Sequence, residues 1–229
     1  MRSENGTLAR ASKVKLPDLF SEAIKDADNL ASRYDSPLAT GESMDSRSVF
    51  LRAALALAMA AVDKVLHEAI SKRFAYVAAD GSLDKIVQIE LSKAYRIAQA
   101  ARVRTGKGGK VRRRPGHDIK AEVLTEIYRD SYLSARRIQE ISAICGKSQI
   151  FKLYAAHLTK PGKKARSAQP LRERWSRMYT RRNQIVHECD IMRQAKPRKA
   201  RFDTVDGRRF KRDIAFIKNF GQFLAVTLD

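Results

Sequence analysis

The ten residues RRNQIVHECD, at positions 181–190, combine the residue types needed to cleave RNA without a metal ion. RNA carries its own nucleophile, the 2′-hydroxyl beside each phosphate. Cleavage therefore needs a base for that proton, an acid for the 5′-oxygen and positive charge near the phosphate. The imidazole of His187 is suited to both proton transfers near neutral pH. Arg182 offers a charged donor fork, and Asn183 can hold the phosphate or orient the arginine.

Helical spacing decides which of these side chains can act together. Asn183 and His187 are four residues apart and Asp190 follows three residues later, so a helix places all three on one face. Arg182 precedes His187 by five residues, which is about 140° around an ideal helix. Arg182 can therefore reach this face only through its long side chain, a helix irregularity or a second subunit.

Four other polar side chains are candidates for a supporting role. Glu188 and Asp190 could tune the histidine, or could simply pair with arginines such as Arg181. Asp63 and His67 are four residues apart on a predicted helix and could form a hydrogen-bonded pair. That pair would either support the motif helix or be part of ordinary packing.

By spacing alone, an arginine followed by a histidine is a weak pattern that also fits a half-buried structural histidine. However, RRNQIVHECD resembles the Arg-x(4–6)-His signature of HEPN domains, and in particular the RiboL-PSP branch, whose members read much like RRN-x-IVH-x-x-D. Residues 61–68, AVDKVLHE, resemble that branch's apolar helix ending in an acidic residue and a histidine. Residues 141–146, ISAICG, resemble its helix end upstream of the motif. The resemblance covers roughly residues 45–228.

The resemblance implies a small helical bundle that forms a homodimer, with two motif-bearing helices facing each other across one cleft. Many HEPN proteins are metal-independent endoribonucleases that leave 2′,3′-cyclic phosphate ends, often in toxin–antitoxin or antiphage systems. Arg182 and His187 match the two signature positions, and Asn183 matches the polar residue after the arginine. RNA and an antitoxin or defence-system protein are the implied partners, without a metal or other cofactor. The alternative is a non-catalytic HEPN module that binds RNA, a nucleotide or a partner protein.

The distribution of charge independently favours a polyanionic partner. The net charge is +21, yet residues 1–100 hold 14 basic and 13 acidic residues, whereas residues 101–229 hold 32 and 12. Such a basic half attracts nucleic acid first and an acidic membrane surface second. A structural RNA-binding protein would explain this charge but would leave RRNQIVHECD unexplained.

A glycine-rich basic loop is the strongest candidate for phosphate contacts outside the motif. Residues 102–114, RVRTGKGGKVRRR, contain seven basic residues and no acidic ones. A solvated loop that contacts nothing is the competing interpretation. The predicted RNA-binding residues are Lys107, Lys110, Arg112, Arg113, Arg114 and Arg181.

The elements that must position these residues are helical, because apolar residues recur at steps of three and four along most of the chain. The sequence predicts an all-α fold, an antiparallel helical bundle of the HEPN type with basic loops. Helices are expected at 16–34, 46–74, 83–103, 118–144, 148–158, 171–192 and 209–228, with Ser82 and Gly146 as caps. Residues 201–209 could instead hold a short hairpin.

Two parts are expected along the chain. Residues 1–45 would form an N-terminal helix and linker, and residues 46–229 the HEPN-like domain. Basic insertions in that domain are predicted near 102–116, 160–168 and 193–208.

Several classes of protein are disfavoured. Two cysteines, Cys145 and Cys189, are too few for a disulfide framework or a cysteine-based zinc finger. The four histidines are scattered, and no carboxylate cluster suited to Mg²⁺ is evident. The longest nearly apolar run, residues 53–62, is about half of a membrane span. With no apolar signal core near Met1, the protein is expected in the cytoplasm and not in a membrane.

Overall fold

The computed structural model describes residues 15–35, 44–80, 130–188 and 206–229, and every regular element in these ranges is an α-helix. The prediction of an all-α fold is therefore confirmed for these parts of the chain. The helices are α1 (Leu16–Ala23), α2 (Lys25–Asp35), α3 (Met44–Asp80), α4 (Ala135–Ile144), α5 (Ile150–His157), α6 (Ala168–Glu188) and α7 (Gly207–Leu228). The helix predicted at 83–103 lies outside the described residues.

The long helix α3 is the centre of the packing. It contacts α1, α2, α4, α6 and α7, and a single apolar cluster joins their inner faces. Trp175 of α6 is fully buried in this cluster and lies 5.1 Å from the ring of Phe220 in α7. At Gly221 a Cβ atom would overlap the ring of Phe20, so the glycine permits the close approach of α1 and α7.

The N-terminal segment forms two helices instead of the single helix predicted at 16–34. Ile24 is a turn residue that separates α1 from α2. Buried Phe20 and Ala27 connect the two helices to the same core as α3 and α7. The expected division of the chain near residue 45 stays a prediction, although helices on both sides of it share one core.

The prediction of one continuous helix over 118–144 is wrong for residues 130–133. These residues are not helical, and α4 begins only after Ser134, whose side chain accepts a 3.2 Å hydrogen bond from the Arg137 N–H. Gly146 ends α4 with a φ of 77°, as predicted for a C-cap. Lys147 N–H then donates to Ser142 O at 2.7 Å.

The basic insertions are described only in part. Residues 160–167 form an exposed loop before α6. The insertion near 102–116, and the one near 193–208 up to residue 205, lie outside the described residues. Helix α7 begins at Gly207 after Asp206, whose side chain caps it, so the hairpin alternative is wrong for residues 207–209. In the described ranges, no helix combines the length and apolar character needed to cross a bilayer.

Candidate functional site

The motif residues lie on the last turns of α6. This helix packs on α3 and α5 and less extensively on α4. Its buried face carries Trp175 and Met178, and Arg182 follows on the same face, four residues after Met178. Arg182 is therefore half-buried, and its Nε is buried without a hydrogen-bond partner among the residues that the structure describes.

The guanidinium of Arg182 is directed towards the polar face by a hydrogen bond to its neighbour. One terminal nitrogen of Arg182 donates to Asn183 Oδ1 at 3.1 Å. Asn183 is half-buried and lies one turn before His187 on the same face. The long side chain of Arg182 thus extends from the buried face of α6 towards the polar face that carries His187.

His187 lies at the solvent-exposed end of this arrangement. Its side chain is exposed, and the adjacent Val186 has 46% of its surface exposed. Among the residues that the structure describes, none hydrogen-bonds to the imidazole. The side chain of Glu188 and the whole of Asp190 lie outside those residues, so their predicted tuning roles stay predictions.

Asp63 and His67 both contact backbone groups of residues 130–133, the non-helical segment that precedes α4. His67 Nε2 lies 3.9 Å from Asp63 Oδ1, so the two residues that could pair are close together, but these two atoms are beyond hydrogen-bond distance. Instead, Tyr132 N–H donates to Asp63 Oδ1 at 2.8 Å. His67 Nε2 lies 2.9 Å from the carbonyl oxygen of Asp130.

The same segment is linked directly to α6. The indole N–H of Trp175 donates to Leu133 O at 2.6 Å. Trp175 lies on α6, seven residues before Arg182. Tyr132 packs edge-on against His67 with ring centroids 5.0 Å apart. Burial, and secondarily the charge of Asp130, raises the pKa of Tyr132 to about 12. Its phenol is therefore neutral at physiological pH.

Removing the Asp63 carboxylate should destabilise the fold. Asp63→Ala leaves the buried Tyr132 N–H without its acceptor, which should cost about 1–3 kcal/mol in the free energy of unfolding. Asp63→Asn keeps an acceptor oxygen and should cost clearly less. Urea unfolding followed by circular dichroism measures both values. Equal losses for the two variants would show that the hydrogen bond contributes nothing.

Of the six predicted RNA-binding residues, only Arg181 lies in the part of the chain that the structure describes. Lys107, Lys110, Arg112, Arg113 and Arg114 lie outside the described residues. Arg181 is half-buried, and its guanidinium carbon lies 5.6 Å from the ring centroid of Phe210 in α7. Arg181 therefore faces α7, away from the side of α6 that carries Asn183 and His187.

Sequence reasoning missed a group of arginines beside Arg181. Arg174, Arg177 and Arg181 recur at steps of three and four and line a cleft between α6 and α7, together with Arg209. The helical spacing on α6 is visible in the sequence, but the contribution of Arg209 depends on how α7 packs.

Within the described residues, no group of three histidine, cysteine, aspartate or glutamate side chains is placed to hold a metal ion. Comparison with protein-family models, curated proteins and solved structures found no match to this chain. In the described ranges the protein is all-helical and carries an arginine–asparagine pair one turn before an exposed histidine.

Proposed function

We propose that this protein is a HEPN-type endoribonuclease that cleaves RNA without a metal ion. The observation that carries the proposal is the hydrogen bond from Arg182 to Asn183, one turn before the exposed His187. This arrangement brings a permanent positive charge and a proton-transfer group towards one face, although they start about 140° apart on the helix. The resemblance of RRNQIVHECD to the HEPN signature concerns these same residues.

In the proposed reaction, His187 removes the proton from a ribose 2′-hydroxyl. The 2′-oxygen forms a bond to the adjacent phosphorus while the bond from phosphorus to the 5′-oxygen breaks. The leaving oxygen takes up a proton, so the products are a 2′,3′-cyclic phosphate and a 5′-hydroxyl. Arg182 stabilises the charge that develops on the phosphate oxygens, and Asn183 orients the guanidinium.

The proposed active unit is a homodimer. A single copy places one histidine at this face in the described residues, whereas the reaction needs a base and an acid. A second copy related by a twofold axis can supply the other His187. The exposed Val186 also places apolar surface next to His187.

Incubation of the purified protein with RNA in EDTA tests the proposal. We expect cleavage to persist in EDTA and the upstream fragment to end in a 2′,3′-cyclic phosphate, since no metal takes part in the steps above. A His187→Ala preparation, purified in the same way, controls for contaminating nucleases. Binding without cleavage would favour the non-catalytic HEPN module. Activity that is lost in EDTA and restored by Mg²⁺ would contradict the proposed chemistry.

A further inference from the structure

A separate cleft lies between α6 and the first turns of α7, with Leu55 of α3 also lining it. Its volume is about 540 Å³, within the range of ligand sites for small molecules. Arg177 lies ten residues before His187, which is about 80° away around the helix. The cleft is therefore centred on a neighbouring side of α6, although Thr180, which also lines it, precedes His187 by seven residues and lies about 20° from it around the helix.

The cleft carries more positive charge than its own acidic residues neutralise. Four arginines and two aspartates line it. Arg174 pairs with Asp213 at 2.9 Å, and Asp206 accepts the Arg209 N–H at 3.1 Å to cap α7. In the part of the chain that the structure describes, no carboxylate forms an ion pair with the guanidinium of Arg177 or Arg209. Two guanidinium groups are thus available for an anion.

The remaining lining combines apolar and hydrogen-bonding groups. Leu55, Met178 and Phe210 form an apolar wall, with the guanidinium of Arg181 5.6 Å from the Phe210 ring centroid. Thr180 and Gln184 add a hydroxyl and an amide. A ligand that suits this lining has an anionic group, a flat apolar body and polar edges, and these are the features of a nucleotide.

We infer that this cleft binds a nucleotide, with its phosphate held by Arg177 and Arg209 and its base against the apolar wall. Arginine suits this role because its planar donor fork matches two phosphate oxygens. The phosphate could belong to a free mononucleotide or to a single-stranded RNA. The inference does not depend on the proposed cleavage, because the cleft shares no residue with Arg182, Asn183 and His187.

Two matched double variants test the site. Arg177→Gln with Arg209→Gln removes two positive charges from the cleft. Arg172→Gln with Arg208→Gln removes the same charge from exposed positions on the same two helices that do not line it. Calorimetric titration with adenosine 5′-monophosphate and with adenosine compares a ligand with phosphate to one without it. A 2′-O-methyl RNA oligonucleotide, which lacks the nucleophilic hydroxyl, serves as the strand probe.

We expect the cleft variant to lose about 10- to 1,000-fold in affinity for a phosphate-bearing probe, since each hydrogen bond to a charged group is worth roughly tenfold. The control variant should change little. Loss for adenosine monophosphate identifies a free nucleotide as the ligand, whereas loss for the oligonucleotide alone identifies a strand phosphate. Equal losses in the two double variants, or equal affinity for adenosine and its monophosphate with no effect on the oligonucleotide, would overturn the inference. Neither outcome depends on whether the protein cleaves RNA.

Discussion

Replacing His187 with alanine should lower RNA cleavage by about 10²–10⁴-fold, because it removes the group proposed to transfer the protons. The imidazole is exposed, so the free energy of unfolding should change by less than about 0.5 kcal/mol. Single-turnover cleavage of a defined RNA measures the first effect, and thermal unfolding followed by circular dichroism measures the second. RNA binding should be nearly unchanged, because the substitution leaves the arginines and lysines that attract phosphate in place.

His157→Ala is the matched control for this substitution. His157 is also an exposed histidine at the end of a helix, but it lies on α5, outside the motif. It should keep full activity. If His187→Ala remains fully active with a native circular dichroism spectrum, His187 is not the catalytic base or acid, and the proposed mechanism fails.

Arg182→Ala should lower cleavage by about 10²–10³-fold, since it removes the positive charge proposed to stabilise the transition state. Arg182→Lys should recover little activity, because an ammonium group cannot reproduce the planar fork that contacts Asn183 and the phosphate. Both variants should also be compared by unfolding, since Arg182 is half-buried. The lysine variant keeps the charge and much of the packing, so it separates loss of geometry from loss of fold.

Mixing two inactive variants tests whether the Arg182 and His187 of one active site come from the same copy of the protein or from two copies. If one site uses Arg182 from one copy and His187 from the other, heterodimers of Arg182→Ala with His187→Ala keep one such pair but only one of the two His187 side chains, so mixing restores at most a small part of the activity. If each copy uses its own pair, mixing restores nothing. Arg172→Ala, an exposed arginine on the same helix, is the control and should remain fully active. Full activity of Arg182→Ala would contradict its proposed role.

Local patterns in the sequence were sufficient for most of the described helices. The apolar periodicity of α5, α6 and α7, and the long alanine-rich run of α3, predicted these helices and roughly their ends, because residue spacing, composition and capping residues are local properties. Gly146 ended α4 as predicted, since a left-handed C-cap strongly favours glycine. The spacing of residues around an ideal helix placed Asn183 and His187 on one face of α6 and Arg182 well away from that face.

Tertiary contacts decided what local patterns could not. Residues 130–133 have a sequence that predicts helix, yet their backbone groups are bound by Asp63, His67 and Trp175, which are distant along the chain. These bonds replace the helical ones, so the helix begins only at Ala135.

The arrangement of the candidate functional side chains also depends partly on local sequence and partly on tertiary packing. The sequence by itself determined that an arginine, an asparagine and a histidine share the end of one helix, because their positions follow from a fixed helical repeat. Only the tertiary structure decided that the root of Arg182 is buried while His187 is exposed, since burial depends on which face of α6 packs against α3 and α5. It also brought Arg209 opposite Arg177, because the distance between two helices is set by packing and not by either sequence alone.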